Sequence, residues 1–123
     1  MTLTKDKLML KRTLFTQPTY HVWEGVEEGD VTDDWKCIVD IDMVELQCSY
    51  LYIQLQNTGS YNMDYELRKT MSDGKEAVET SGTVSAGDFA DFELTRPIVW
   101  RLYVKNTTAG QATKYKVLVR AVR

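Results

Sequence analysis

The most constraining feature of this 123-residue chain is an almost unbroken alternation of apolar and polar residues across positions 46–123. In one run, Leu51, Ile53 and Leu55 are each separated by a polar or aromatic residue. Side chains on a β-strand point to opposite faces with a period of two, whereas the face of a helix repeats every 3.6 residues. The alternation therefore predicts antiparallel β-sheet with one buried face.

Short segments rich in Gly, Asn and Ser separate the alternating runs, at 57–60, 72–75, 86–87 and 106–111. These residue types favour tight turns. Seven or eight short strands at this spacing, with no convincing helix, predict an all-β fold, a single antiparallel β-sandwich of jelly-roll or immunoglobulin-like type. Residues 76–84 fit either one strand or two. The side chains expected in the core are Cys37, Val39, Ile41, Leu51, Ile53, Leu55, Met63, Tyr65, Leu67, Phe92, Leu94, Ile98, Trp100, Leu102, Val104, Tyr115, Val117, Val119 and Ala121.

The N-terminal part of the chain lacks this regularity. Its leucines fit a helical stripe, a strand, or an extended arm that packs on its own sheet or on a neighbour; they are Leu3, Leu8, Leu10 and Leu14. Residues 24–34 combine acids with two glycines and no apolar period, which predicts a loop. We therefore divide the chain into an N-terminal arm or edge segment, 1–23, and a β-sandwich domain, 24–123.

Composition is typical of a soluble globular domain, with 43% hydrophobic and 27% charged residues. No apolar run approaches the roughly 20 residues that a membrane-spanning helix needs. The N-terminus does not resemble a signal peptide, because Lys11 and Arg12 interrupt its apolar stretch. We therefore expect a reducing cytoplasm, with Cys37 and Cys48 as small buried residues and a cross-strand disulfide as the alternative.

Charge is unevenly distributed along the chain. Residues 24–45 hold nine of the eighteen acids and one base, whereas residues 96–123 hold seven bases and no acid. Two solvated faces of opposite sign would explain this, and so would complementary patches that meet between copies of the protein. Nucleic-acid binding is a weaker interpretation, because the net charge is −3 and the bases are spread over sheet positions.

No constellation of residues points clearly to chemistry. His21 is the single histidine, and with Cys37 and Cys48 it lacks any zinc-ligand spacing. The acids Asp30, Asp33 and Asp34 offer oxygen ligands for calcium but do not match the EF-hand spacing; a solvated acidic loop is the simpler interpretation. We therefore predict no catalytic residues, no metal and no cofactor.

The aromatic residues expected on the outer faces are more informative. Tyr50, Tyr52 and Tyr103 alternate with the core positions, and Arg101 lies on the same face as Tyr103. High β-propensity alone explains surface tyrosines, but Tyr and Arg are also enriched at protein interfaces. A sugar-binding platform is a further alternative, for which Trp23 and Trp35 are the candidates because they flank the acidic segment.

Three stretches carry a resemblance to a known class of protein. They are YLYIQLQNTGSYNMDYELR, SGTVSAGDFADFEL and PIVWRLYVKNTTAGQATKYKVLVRAVR. Their Asn-Thr-Gly turn, Val-x-Ala-Gly turn and Thr-x-Ala-Gly loop resemble the pattern of small virion proteins of tailed bacteriophages. The likeness covers about the last 78 residues, which are positions 46–123.

The resemblance implies a non-enzymatic β-sandwich that docks in multiple copies onto a phage capsid, neck or tail. The implied partners are other copies and other virion proteins, without nucleic acid or membrane, and the implied location is the virion after synthesis in the host cytoplasm. The contact residues that we predict are Leu8, Leu10, Leu14, Phe15, Tyr50, Tyr52, Arg101 and Tyr103. The alternatives are a carbohydrate-binding or host-receptor-binding β-sandwich module and, third, a small hydrolase.

Overall fold

Two five-stranded sheets make up most of the computed structural model, which describes residues 2–11, 22–71 and 73–123. Sheet A has the strand order β1-β4-β9-β6-β7, and sheet B has the order β2-β3-β10-β5-β8. The described part of the chain is therefore nearly all β, as predicted. The strands are β1 Leu3–Thr4, β2 Met9–Lys11, β3 Val22–Asp30, β4 Lys36–Asp42, β5 Tyr50–Asn57, β6 Met63–Thr70, β7 Glu76–Val84, β8 Phe89–Leu94, β9 Val99–Asn106 and β10 Lys114–Val122.

Four nested antiparallel pairings organise the eight longer strands. β3 pairs with β10, β4 with β9, β5 with β8, and β6 with β7. Successive pairs alternate between sheet B and sheet A. The chain thus runs out along four strands and returns along the next four, so that β10 lies in the middle of sheet B between β3 and β5.

Both sheets contribute their inner side chains to one hydrophobic cluster. In β5 the burial alternates strictly, and the predicted inner positions Leu51, Ile53 and Leu55 are fully buried. β10 shows the same pattern, and in β9 Trp100 is 1% exposed. The alternation in the sequence therefore identified the inner faces of these central strands correctly.

Residues 24–30 of the acidic segment belong to strand β3, so their prediction as a loop was wrong, whereas residues 31–34 form a loop as predicted. β3 contains two glycines on its inner face, where the usual apolar residues are replaced by groups from neighbouring elements. A Cβ atom on Gly25 would lie 2.8 Å from Leu8 Cδ2, and one on Gly29 would lie 2.9 Å from the hydroxyl oxygen of Tyr115. The glycines therefore indicate close packing rather than a break in the sheet.

The described N-terminal residues pack on the chain's own sheets. β1 runs parallel to β4 in sheet A, and β2 runs antiparallel to β3 in sheet B. A short 3-10 helix, Lys5–Lys7, joins them and carries the chain from one sheet to the other. Leu3 and Leu8 are buried in the core on either side of it. Residues 2–11 thus contribute one short edge strand to each of the chain's own sheets.

One short α-helix, α1 Met43–Leu46, separates β4 from β5. The Asp42 carboxylate caps it by accepting hydrogen bonds from the backbone N–H groups of Val44 and Glu45. β4 therefore ends at Asp42, and β5 begins at Tyr50. No helix in the described ranges is long and apolar enough to cross a membrane.

Candidate interaction surfaces

The predicted contact residues do not form one surface. Tyr50 and Tyr52 lie on the outer face of sheet B, whereas Arg101 and Tyr103 lie on the outer face of sheet A. Leu8 is buried in the chain's own core, with 8% of its surface exposed. Leu10 is 41% exposed and stays a candidate contact residue. Leu14 and Phe15 lie outside the described residues, as does His21.

The outer face of sheet B carries two rows of apolar and aromatic side chains, and the ion pair of Glu24 with Arg120 lies between these rows, beside Tyr52. Cross-strand register places Leu118 between Val26 and Gln54, and it places Val122 between Val22 and Tyr50. These residues point away from the core because the alternate positions of β10 are fully buried. We refer to this surface as the B face; it comprises Val22, Val26, Tyr50, Tyr52, Gln54, Leu118 and Val122.

Hydrogen bonds fix the polar side chains at one side of the B face. The Gln56 amide donates to Gln54 Oε1 at 3.0 Å, and the Gln54 amide donates to the Tyr52 hydroxyl at 3.4 Å. The Tyr52 hydroxyl in turn donates to Asp91 Oδ2 at 3.3 Å. Partial burial and the neighbouring Asp91 carboxylate raise the pKa of Tyr52. The Tyr52 hydroxyl is therefore protonated at neutral pH, and the hydrogen bonds hold Tyr52, Gln54 and Gln56 in fixed positions that suit a protein contact.

The acidic and basic segments of the sequence meet within one chain. In sheet B, Arg120 donates through Nε at 2.9 Å and Nη2 at 2.8 Å to Glu24 Oε2. Lys116 lies opposite Glu28 in the same pair of strands, with Nζ 4.0 Å from Oε1. The antiparallel pairing of β3 with β10 thus brings part of the acidic segment beside part of the basic segment within one chain.

On the outer face of sheet A, polar groups converge on one carboxylate. Glu76 accepts hydrogen bonds from Arg101 Nη1 at 2.6 Å, from the Tyr103 hydroxyl at 2.9 Å, and from Arg68 Nη1 at 3.2 Å. Partial burial opposes ionisation, but these donors outweigh it and lower the pKa of Glu76. Burial and the bond to Glu76 raise the pKa of Tyr103 to about 12. Arg101 and Tyr103 therefore already have partners within the chain.

Trp35 lies immediately before β4 and is 36% exposed. It borders a shallow depression of about 270 Å³ that Asp64, Glu66 and Lys105 also line. The Lys105 ammonium lies 4.9 Å from the centre of the Trp35 ring. Trp23, the other candidate for sugar stacking, is packed against the core instead.

The two cysteines are free thiols in different environments. Cys48 is buried as predicted. Cys37 was predicted in the core, but a register shift between Cys37 and Val39 brings it beside Tyr103 and gives the buried position to Ile38. Burial, together with the nearby Asp40 carboxylate, raises the pKa of the Cys37 thiol to about 11. The thiol is therefore protonated and a poor nucleophile at neutral pH.

A buried polar cluster holds the turns at one end of the two sheets, and the sequence pattern did not reveal it. The Asn57 side chain donates to the carbonyls of Tyr61 at 2.6 Å and Val84 at 2.9 Å. Its oxygen accepts from the backbone N–H of Gly59 at 3.1 Å and from the Thr113 hydroxyl at 2.7 Å. This explains the Asn-Thr-Gly sequence, in which the asparagine is 1% exposed and serves as an internal crosslink.

Gly59 is required by space in this cluster, because a Cβ atom there would lie 2.0 Å from Thr113 Oγ1. A second asparagine, Asn106, donates to Asp33 Oδ1 at 2.9 Å, and the Gly110 backbone N–H donates to the same oxygen. These bonds lower the pKa of Asp33. Asp33, one of the three acids considered as calcium ligands, is thus bound to the end of β9 and to the loop that follows it, and the described residues contain no cluster of three metal-ligating side chains.

No protein-family model and no curated protein matches the sequence. Solved structures match the fold. A subunit of Bacillus endospore appendages, described as disulfide-linked pili, superposes with a TM-score of 0.59 at 16% identity, over 92% of this chain and 96% of that one. The SPBc2 prophage-derived protein YomS gives 0.51 at 9% identity, over 80% and 95%.

The PBSX exported protein XepA gives a TM-score of 0.56 at 11% identity. The match covers 80% of this chain but 36% of XepA, so it concerns one part of that protein. The neighbours therefore include phage-derived proteins and a pilus subunit. At these identities they show a shared fold alone.

Proposed function

We propose that this chain is a non-enzymatic structural protein of a phage particle, which docks in multiple copies onto a capsid, neck or tail. The B face is the observation that carries the proposal. On this surface Leu118, Val26 and Val122 lie on either side of the Glu24–Arg120 ion pair and next to the hydrogen-bonded Tyr52 and Gln54. Aromatic and arginine side chains are enriched at protein interfaces, and exposed apolar side chains on one surface favour a docking site.

We also propose that the two sheets form a sandwich of the jelly-roll type. Numbered from β3 to β10 as one to eight, sheet B reads 1-8-3-6 and sheet A reads 2-7-4-5, with β2 and β1 added at the edges. This is the order that a ribbon of four antiparallel pairs adopts when it rolls up into a jelly-roll sandwich. Jelly rolls are widespread among viral capsid proteins and lectins. The phage-derived neighbours and the resemblance of the turn sequences further support a virion location.

Binding to particles that lack the protein tests this function. We expect the purified chain to cosediment with such particles, and Leu118→Glu to weaken binding at least about tenfold, because it places a charge at the centre of the B face. Val78→Glu is the matched control, since Val78 is an exposed valine on an edge strand of the other sheet. Absence of binding by the unmodified chain, or equal losses in both variants, would contradict the proposal.

Glycan binding is the second candidate, and the exposed Trp35 favours it. An aromatic face beside carboxylates and an ammonium group supplies the stacking and hydrogen-bonding groups that a sugar requires. Screening on a glycan array should then give saturable binding that Trp35→Ala abolishes and Trp35→Phe partly retains. Binding that survives Trp35→Ala would place any sugar site elsewhere.

A further inference from the structure

Sheet B ends in two edge strands of opposite charge. Within the described residues, β8 pairs only with β5 and β2 pairs only with β3. The outer backbone groups of both strands are thus available to another strand. β8 contains Asp91 and Glu93 and no base, whereas β2 contains Lys11 and no acid. The two edges are therefore complementary to each other and not to themselves.

The direction of the strands allows the sheet to continue from one copy to the next. Four antiparallel pairings separate β2 from β8, so the two strands run in the same direction. A second copy in the same orientation would thus bring its β2 parallel to β8 of the first. Pairing two β8 strands about a two-fold axis would instead bring their acidic edges together, which is unfavourable.

The faces of the two edge strands also match. Ala90 in β8 is paired with Leu55, and Leu10 in β2 is paired with Trp23, so both occupy inner-face positions. A register that aligns Leu10 with Ala90 places Met9 beside Phe89. Met9 and Phe89 are 67% and 56% exposed, so this contact would cover the largest apolar side chains at both edges. The next position brings residue 11, a lysine in the sequence, beside Asp91.

We propose that copies of this chain associate head to tail by continuing sheet B, with β8 of one copy pairing with β2 of the next. The inference rests on the proposed function and deepens it by naming the contact between neighbouring copies. Such a contact is heterologous, so it repeats and builds a ring or a filament. β2 is short and each contact is correspondingly weak, but repetition in an array strengthens the whole.

Charge reversal at the two edges tests the contact. Sedimentation analysis of the full chain at high protein concentration and low salt should show reversible oligomers. We expect Asp91→Lys and Lys11→Glu each to lower the association constant at least tenfold. The controls are Asp34→Lys and Lys75→Glu, which reverse exposed charges in loops away from both edges and should leave association unchanged.

Mixing the two edge variants makes the test specific. Asp91→Lys places a base at position 91 opposite Lys11, and Lys11→Glu places an acid at position 11 opposite Asp91, so each variant alone brings like charges together at these two positions. In an equimolar mixture, each edge finds a complementary edge on the other variant, and we expect alternating oligomers. Oligomers should also return when both reversals are combined in one chain.

A monomeric unmodified chain would overturn the inference, and so would a mixture that fails to associate while both variants keep the circular dichroism spectrum of the folded protein. Either result leaves the proposed function intact if the chain still binds particles. Loss of particle binding with retained edge-dependent oligomers would instead contradict the proposed function alone.

Discussion

Replacement of Asn57 by alanine should destabilise the fold strongly. The substitution removes all four hydrogen bonds of the side chain and leaves their partners in place. Two of these partners, the Val84 carbonyl and the Thr113 hydroxyl, belong to residues that are 2% exposed. Each buried group left without a partner costs roughly 1–3 kcal/mol. We therefore expect a loss of about 2–6 kcal/mol in the free energy of unfolding, from the two buried groups.

Urea denaturation followed by tryptophan fluorescence measures this loss, because Trp100 lies in the core. Asn62→Ala is the matched control, since Asn62 is exposed in the same connection, and it should change the free energy of unfolding by less than about 0.5 kcal/mol. Equal effects of Asn57→Ala and Asn62→Ala would refute the assignment of Asn57 as an internal crosslink.

Asn57→Asp separates the donor and acceptor roles of the side chain. Its carboxylate would retain the acceptor for Gly59 but would face the Tyr61 and Val84 carbonyls, so its pKa should be raised in the folded state. The folded state then binds the proton more tightly than the unfolded state. Stability should be greatest below the unfolded pKa and decrease as the pH rises through the folded pKa. A variant with pH-independent stability between pH 4 and 8, roughly the range between an ordinary and a raised carboxyl pKa, would contradict this assignment.

Three further predictions concern packing and pH. Gly59→Ala should lower the free energy of unfolding by roughly 1–3 kcal/mol, since its Cβ would overlap Thr113 Oγ1; an unchanged denaturation midpoint would show that the turn relaxes freely. Trp100→Ala should cost about 3–5 kcal/mol in the same assay, and a loss under about 1 kcal/mol would mean that the core collapses onto the cavity. The lowered pKa of Glu76 predicts stability that is fully present above the unfolded value of 4.5 and lost as the pH falls through the folded pKa. Melting temperatures measured over a pH series should show this loss of stability in the unmodified protein and not in Glu76→Gln. Identical pH profiles of the two proteins would contradict the prediction.

The sequence predicted the central strands well because their two faces differ in environment. Positions such as Leu102 and Val117 are buried between the sheets, and a period of two is therefore imposed on β9 and β10. β3 does not show this alternation, because Gly25 and Gly29 occupy two of its inner positions and side chains of other elements fill the space beside them. The local pattern of apolar residues does not show that a side chain from a part of the chain distant in sequence fills the space beside a glycine.

The candidate surfaces were only partly predictable for a related reason. The outward direction of Tyr50 and Tyr52 followed from the alternation of β5, but their separation from Tyr103 depends on which strands share a sheet. The hydrogen bonds that join Glu76 to Arg101 and Tyr103 span 25 and 27 positions along the chain. Such contacts depend on register between strands, which no local pattern encodes.

The nested order of the strands also bears on how the protein is made. β10 occupies the centre of sheet B, yet it follows the other described strands in the sequence, so it is synthesised after both of its neighbours, β3 and β5. Hairpins near the middle of the sequence, such as β6 with β7, bring together residues close in sequence and can form first. Until the final strand arrives, β3 and β5 expose edges and apolar inner faces to the cell, so nascent or C-terminally truncated chains need protection from aggregation.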